Sequence, residues 1–212
     1  MRRSGVGALC VVGLLAAGCS TASSSPAGSV RTTVATTATT TTTTAPPPSP
    51  QSLLLTLQEL PPGWATSNSI GGPSTSCYSD PVDKVPSVAY AHVDFAQGGD
   101  VPVLAEEIGL FASAAAAYRQ IDDILNACHS FTETAGSTTV SGTLSPTSTL
   151  SFGQQSAAWT ASISDDGIDI NQGFILAQKG PYLVLVALGD TGPVDTPTLD
   201  GFMDQAIAKV PS

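Results

Sequence analysis

The sequence has 212 residues, with 17 acidic against seven basic side chains and a formal net charge of −10 at pH 7. Nucleic-acid backbones and anionic membrane surfaces are bound through clusters of Lys and Arg, so this charge balance argues against both as direct partners. A chain of this length can form one domain with its own core, and it contains no internal repeat.

Residues 1 to 18 have the order of features that is typical of a secretory signal. Two arginines come first, an apolar run follows, and small residues precede Cys19. The run has about 12 apolar residues, too few to cross a hydrocarbon core that needs about 20. Leu15-Ala16-Ala17-Gly18-Cys19 resembles a bacterial lipobox, which implies that Cys19 receives a diacylglyceryl group and becomes the first residue of the mature chain. An ordinary cleaved signal, with Cys19 present by chance, is the alternative.

Residues 19 to 51 are rich in Thr and Pro, including the run Thr39 to Thr44 and the triplet Pro46-Pro47-Pro48. Too few side chains here are apolar to offset the entropy of ordering the chain, so an extended, disordered stalk is predicted. Tracts of this composition are also typical substrates of O-glycosylation. Without the signal peptide, the chain has five basic and 17 acidic residues, a net charge of −12. The acyl group alone would therefore hold the protein at the membrane.

Residues 52 to 212 are predicted to be the globular domain, and its first half contains two strands and a helix. Val88 to Ala96 alternates apolar and polar side chains, which predicts a strand, and turn residues lead into a second strand from Val101 to Leu110. From Ala114 to Cys128 apolar residues recur at steps of three and four, which predicts an amphipathic helix with Ser113 as its N-cap.

The second half of the domain is predicted to contain further strands and a closing helix. Asp165-Asp166-Gly167 and Lys179-Gly180-Pro181 are turn signals between apolar segments, and such short turns imply antiparallel pairing. Thr196 as cap and Pro197 in the first turn predict the start of the last helix. The predicted strands of this half span 138–144, 155–163, 168–177 and 182–188. The fold class is therefore α+β: one antiparallel sheet of about five to six strands, with two main helices packed on one face.

Cys77 and Cys128 are the two cysteines of the predicted domain. A lone pair in a small exported domain usually forms a disulfide, and two buried free thiols are the alternative. The chain has no C-x-x-C motif and only two His residues, so a metal site is disfavoured. Neither a metal nor another cofactor is expected.

Candidate catalytic residues are few. His92 and His129 are the only histidines, and the chain has no G-x-S-x-G, H-E-x-x-H, P-loop or G-x-G-x-x-G motif. His92 shares a strand face with Tyr90 and Asp94, although an exposed face of a half-buried strand is the simpler interpretation. His129 ends a helix, where a cation suits the helix dipole. The sequence therefore predicts no catalytic residue.

Three pairs of neighbouring acids do not predict a dyad that shares a proton. Neighbours on a strand point to opposite faces, as expected for Glu106-Glu107, and neighbours on a helix lie about 100° apart. Asp122-Asp123 is interpreted as a solvated helix face, and Asp165-Asp166 as a turn. Calcium binding by Asp165, Asp166 and Asp169 is disfavoured, because their spacing differs from that of an EF-hand.

Four different short motifs lie along the domain. They are Leu60-Pro61-Pro62-Gly63-Trp64, Ala117-Tyr118 leading to Cys128-His129-Ser130-Phe131, Gly153 to Trp159, and the apolar strand Tyr182 to Leu188. Together they resemble the PknH-like family, the extracellular sensor-type domains of actinobacterial envelope lipoproteins and receptor kinases. The resemblance implies an antiparallel sheet with helices around a cleft for an unidentified ligand, and it implies no catalytic residue. Many members have four domain cysteines in two bridges, whereas this domain has two.

The sequence thus favours a non-enzymatic ligand-binding or sensor-type lipoprotein, exported and tethered to the outer face of the cell membrane. Its expected partners are the membrane, through the acyl anchor, and an unidentified envelope ligand or protein. If the ligand is recognised mainly through apolar and aromatic walls, Trp159, Phe174 or Tyr182 would contact it. A carrier with an apolar cavity for a lipid or lipoglycan is the alternative. A hydrolase of envelope polymers is the third hypothesis and would need a general acid or base from His92, Asp94 and His129.

Overall fold

The computed structural model describes residues 46–67, 81–98, 101–135, 138–165 and 168–212. Cys19, Cys77 and Asp166 lie outside these ranges, as do the predicted signal peptide and most of the predicted stalk. The lipidation of Cys19 and the domain boundaries therefore stay predictions. Across the described ranges, no helix is both long enough and apolar enough to cross a membrane.

Within the described ranges, eight antiparallel strands form the sheet, and two α-helices pack on it. The strands are Trp64–Ser67 (β1), Ala89–Gln97 (β2), Val103–Leu110 (β3), Ser130–Ala135 (β4), Thr138–Thr147 (β5), Gln155–Asp165 (β6), Ile168–Lys179 (β7) and Tyr182–Asp190 (β8). The helices are Ala114–Ala127 (α1) and Thr196–Lys209 (α2), and a short 3-10 turn spans Pro50–Ser52. The strand order across the sheet is β1-β2-β3-β8-β7-β6-β5-β4.

The strand count corrects the prediction of five to six strands, although the class is still α+β. The two strands that the sequence did not predict are β1 and β4, which form the two edges of the sheet. An edge strand pairs on one side only and contributes little to the core, so its sequence need not alternate strongly. Accordingly, β1 reads Trp-Ala-Thr-Ser, and β4 carries Thr and Glu among its few apolar residues.

The two helices lie on opposite faces of the sheet, which corrects the prediction that both pack on one face. Ile121 and Leu125 of α1 belong to the core on one face, here called the α1 face. Phe202 and Met203 of α2 belong to the core on the other face, here called the α2 face. Strand β8 contributes side chains alternately to both cores, which explains why it is apolar throughout and confirms the prediction of a central strand covered on both faces.

The starts of the helices differ in detail from the sequence prediction. Ser113 precedes α1 as predicted, but its side chain makes no capping hydrogen bond. The cap of α2 is Asp195, one residue before the predicted Thr196, and its carboxylate accepts the backbone N–H of Thr198 at 3.3 Å. An Asp carboxylate at this position also suits the positive end of the helix dipole.

Residues 46–60, here called the N-terminal arm, pack against the α2 face. Tyr182 Oη donates to the carbonyl oxygen of Pro48 at 2.6 Å, so the contacts of the domain begin within the predicted stalk. At the end of α2, Lys209 Nζ donates to the carbonyl oxygen of Leu54 and lies 2.8 Å from a carboxylate oxygen of Glu59. The arm is therefore fastened to both the central strand and the last helix.

Two neighbouring glutamates of β3 anchor loops on opposite faces of the sheet. Glu106 accepts the backbone N–H of Leu55, in the N-terminal arm, at 2.6 Å. Glu107 accepts the backbone N–H of Val82 at 3.2 Å, and Val82 belongs to the core of the α1 face. The prediction that these side chains point to opposite faces, and so form no dyad, is confirmed.

Candidate functional site

An open cleft of about 370 Å³ lies between the second half of α1 and the segment that joins β5 to β6. We call it the α1–β6 cleft. Its polar lining consists of a carboxylate, an amide and four hydroxyl side chains, and its apolar lining is aliphatic apart from one indole. The lining residues are Asp122, Asn126, Pro146, Thr147, Thr149, Leu150, Ser151, Ser156, Ala157, Ala158 and Trp159.

Three side chains of the cleft, here called the cleft network, form consecutive hydrogen bonds. Trp159 Nε1 donates to Asn126 Oδ1 at 3.0 Å, and Asn126 Nδ2 donates to Asp122 Oδ1 at 2.9 Å. An indole N–H can only donate and a carboxylate can only accept, so the two bonds fix the orientation of the amide between them. Asp122 and Asn126 are one helical turn apart on α1, which brings both over the same part of the sheet.

Burial and neighbouring charges change the acidity of groups beside the cleft. Burial raises the pKa of Asp122, the hydrogen bond from Asn126 opposes this shift, and the charge of Asp123 adds to it. One turn earlier on the helix, burial together with the charge of Asp122 raises the pKa of Tyr118 to about 12. The Asp122 carboxylate is therefore partly dehydrated and accepts a hydrogen bond from Asn126.

The segment from residue 148 to 154, which forms the rim of the cleft, is held at several points. Ser156 Oγ accepts the backbone N–H of Phe152 at 3.2 Å and donates to the carbonyl oxygen of Leu150 at 3.3 Å. Thr149 Oγ1 donates to a carboxylate oxygen of Asp200, in α2, at 3.3 Å. Gly153 has a φ of 60° and makes a β-bridge to Gln178 of β7. The rim is thus a fixed loop with its polar groups already placed.

The structure does not bring the two histidines together. His92 is exposed on β2, beside Tyr90 at a ring-centroid distance of 5.9 Å. His129 is exposed and directly precedes β4. Six strand spacings of about 4.8 Å each separate β2 from β4, so these two strands are roughly 30 Å apart along the sheet. Neither histidine, nor Asp94, lines the α1–β6 cleft.

The three aromatic residues that the sequence suggested as ligand contacts also lie in different parts of the structure. Trp159 lines the cleft, although it is only 1 % exposed. Phe174 belongs to the core of the α1 face, and Tyr182 belongs to the core of the α2 face. Of these three residues, only Trp159 therefore lines the α1–β6 cleft, and its indole N–H donates to Asn126 there.

Sequence reasoning missed Asp122 and Asn126. The interpretation of Asp122-Asp123 as a solvated helix face holds for Asp123, which is exposed, and is wrong for Asp122, which lines the cleft. The available signal was the spacing of Asp122 and Asn126, four residues apart at the border of the apolar helix face. Their target, Trp159, is remote in the sequence.

Cys128 is the C-cap residue of α1 and is 4 % exposed. Its predicted disulfide partner, Cys77, lies outside the described residues. The pairing of Cys128 with Cys77 therefore stays a prediction. Among the described residues, no group of three or more His, Cys, Asp and Glu side chains is placed to hold a metal ion.

No family model and no curated protein sequence matches this chain. A solved structure does share its fold. The extracellular domain of PknH from Mycobacterium tuberculosis superposes with a TM-score of 0.53 and 13% sequence identity, over 77% of this chain and 97% of that chain. At this identity the similarity concerns the fold alone. It supports the PknH-like fold that the sequence motifs implied, and it gives no information about a ligand or an anchor.

Proposed function

We propose that this protein is a non-enzymatic ligand-binding or sensor-type lipoprotein of the cell envelope, with the α1–β6 cleft as its ligand site. The observation that carries the proposal is the cleft network, because it holds a carboxylate and an amide in fixed positions at the wall of an open cleft. Groups that are positioned before a ligand arrives lower the entropic cost of binding. The fold similarity to an extracellular domain supports an exported, sensor-type role.

The anchor belongs to the same proposal and rests on the sequence. Cys19 follows an apolar run and small residues, as in a lipobox, and a diacylglyceryl group there would hold the protein at the outer face of the membrane. The Thr- and Pro-rich stalk would then separate the domain from the membrane.

The shape and chemistry of the cleft favour a sensor-type binder over a lipid carrier. A carrier needs an enclosed apolar cavity for acyl chains, whereas this cleft is open and is lined by hydroxyl, amide and carboxylate groups. A hydrolase has weaker support, because the two histidines lie on or beside strands that are six positions apart in the sheet and neither lines the cleft.

Complementation of a strain that lacks the gene tests this proposal. The double variant His92→Ala, His129→Ala should restore the parental envelope phenotype, because these residues lie outside the proposed site. Asn126→Leu should fail to restore it, since Leu breaks both bonds of the cleft network. Asp123→Asn, on the exposed side of the same helix, is the matched control and should restore it. A folded Asn126→Leu protein that restores the phenotype fully would contradict the cleft as the site.

A further inference from the structure

The α1–β6 cleft offers hydrogen bonds in both directions at closely spaced positions. Thr147 and Ser151 carry hydroxyl groups that can donate and accept. The Thr149 hydroxyl, which donates to Asp200, can still accept, and Asp122 carries a carboxylate that accepts. A ligand that matches this lining needs several neighbouring groups that themselves both donate and accept. The hydroxyl groups of a saccharide have this property, and adjacent sugar hydroxyls could share one carboxylate.

The charge of the cleft argues for an uncharged ligand. Among the described residues that line it, Asp122 is the only ionisable side chain, and none is Lys, Arg or His. A phosphate or carboxylate group would therefore meet an uncompensated negative charge without a cation to bind it. A cationic ligand would find a single carboxylate, one oxygen of which already accepts a hydrogen bond from Asn126.

Size and surface character agree with this ligand class. A volume of about 370 Å³ lies within the usual range for small-molecule sites, roughly 300 to 1,000 Å³. Leu150, on the rim, is 58% exposed and gives an apolar surface that the C–H face of a sugar ring can cover. We propose that the α1–β6 cleft binds an uncharged, polyhydroxylated ligand of the saccharide class. This inference rests on the proposed function, which makes the cleft the ligand site.

The indole N–H of Trp159 provides a direct reporter, because it donates to Asn126 within the cleft network. The chain has two Trp residues, so selective ¹⁵N-tryptophan labelling gives two indole resonances, and Trp64→Phe assigns them. Trp64 packs against Phe202 on the α2 face and serves as an internal control. The mature full-length protein in detergent is titrated separately with four neutral sugars (glucose, mannose, galactose and maltose), with inorganic phosphate and with spermidine.

We expect at least one neutral sugar to shift the Trp159 resonance saturably while leaving Trp64 unchanged. Asp122→Asn should lower the affinity for that sugar at least about tenfold, because a charged acceptor is lost. The Asp123→Asn protein should bind the sugar with the parental affinity. If phosphate or spermidine shifts Trp159 and no sugar does, the saccharide class is wrong while the cleft remains the site. If no probe shifts Trp159, the saccharide class is also wrong. Failure of the proposed function would appear separately, as full complementation by Asn126→Leu.

Discussion

Glu106 is a carboxylic acid within the apolar core of the α2 face. It is 0 % exposed, and its Oε2 accepts one bond, from the N–H of Leu55. Its Oε1 has no hydrogen-bond partner among the described residues. Burial raises its pKa to about 7, against the lowering effects of the Leu55 bond and the Lys209 charge, and the charge of Glu59 adds to the rise. Burial of this side chain therefore favours its protonated form in the folded protein.

The pKa of Glu106 predicts a stability that falls as the pH rises. Its pKa is higher in the folded protein, about 7, than the ordinary Glu value of 4.5, so the folded state binds the proton more tightly. The stabilisation is complete below the unfolded pKa and is lost as the pH rises through the folded one. Between about pH 5 and pH 8, the difference in unfolding free energy between the parent and Glu106→Gln should change by about 2 kcal/mol.

Urea unfolding followed by tryptophan fluorescence measures this difference. The amide introduced by Glu106→Gln would still offer an oxygen to the Leu55 N–H, so the variant removes the titration and keeps the acceptor. Asp204→Asn, on an exposed position of α2, is the control and should leave the pH dependence unchanged. Parallel pH profiles for the parent and Glu106→Gln would contradict the role given to this buried carboxyl.

Single residues also show the limit of what the sequence could predict. The opposite directions of Glu106 and Glu107 followed from the strand period alone. The role of Asp122 did not, because it depends on how α1 crosses the sheet and places this side chain near Trp159, which is 37 positions further on in the sequence. Helical spacing identifies neighbours within one helix, but it says nothing about which distant residue lies opposite.

At the scale of elements, the six strands with apolar alternation or a continuous apolar run were predictable, and the edge strands β1 and β4 were not. The side of the sheet taken by each helix was also not predictable, because α1 and α2 both have one apolar face and β8 is apolar on both. The choice depends on the connections across the sheet, for which the sequence carries no local signal.

Substitution of Gly153, in the rim segment, should destabilise the protein more than substitution of Gly192, outside it. At Gly153 the backbone has a φ of 60°, and a Cβ would overlap the carbonyl oxygen of Gln178. A Cβ at Gly192 would have no other heavy atom within 4 Å. Gly153→Ala should therefore lower the unfolding free energy by about 2 kcal/mol or more, whereas Gly192→Ala should change it by less than about 1 kcal/mol. Thermal or urea unfolding of both variants checks this, and equal effects would contradict the fixed rim.

The end of α1 predicts a disulfide between Cys128 and Cys77. Such a bond closes a loop of about 50 residues, for which chain entropy gives about 4 kcal/mol of stabilisation. Thiol titration of the denatured, exported protein should find no free sulfhydryl from these two cysteines, and peptide mapping should recover them as one linked pair. Two free thiols would refute the bridge, and Cys77→Ala should lower stability by a similar amount to Cys128→Ala.

At the scale of the whole molecule, the anchor and the domain are separable. Without the predicted signal peptide the chain carries a net charge of −12, which argues against binding to anionic lipid, so Cys19 is the one membrane contact that we propose. Cys19→Ala should move the protein from the membrane fraction to the soluble fraction after cell disruption. A Cys19→Ala protein that still needs detergent for extraction would contradict the lipoprotein assignment.

Native mass spectrometry of the protein purified from its own envelope tests most directly that the α1–β6 cleft holds a ligand. The parent and the control Asp123→Asn should carry the same small molecule, seen as one discrete mass increment that disappears on denaturation. A folded Asn126→Leu variant should lack it, because both hydrogen bonds of the cleft network are gone. If Asn126→Leu retains the same molecule at the parental occupancy, or if the parent carries none, the cleft is not the ligand site that we propose.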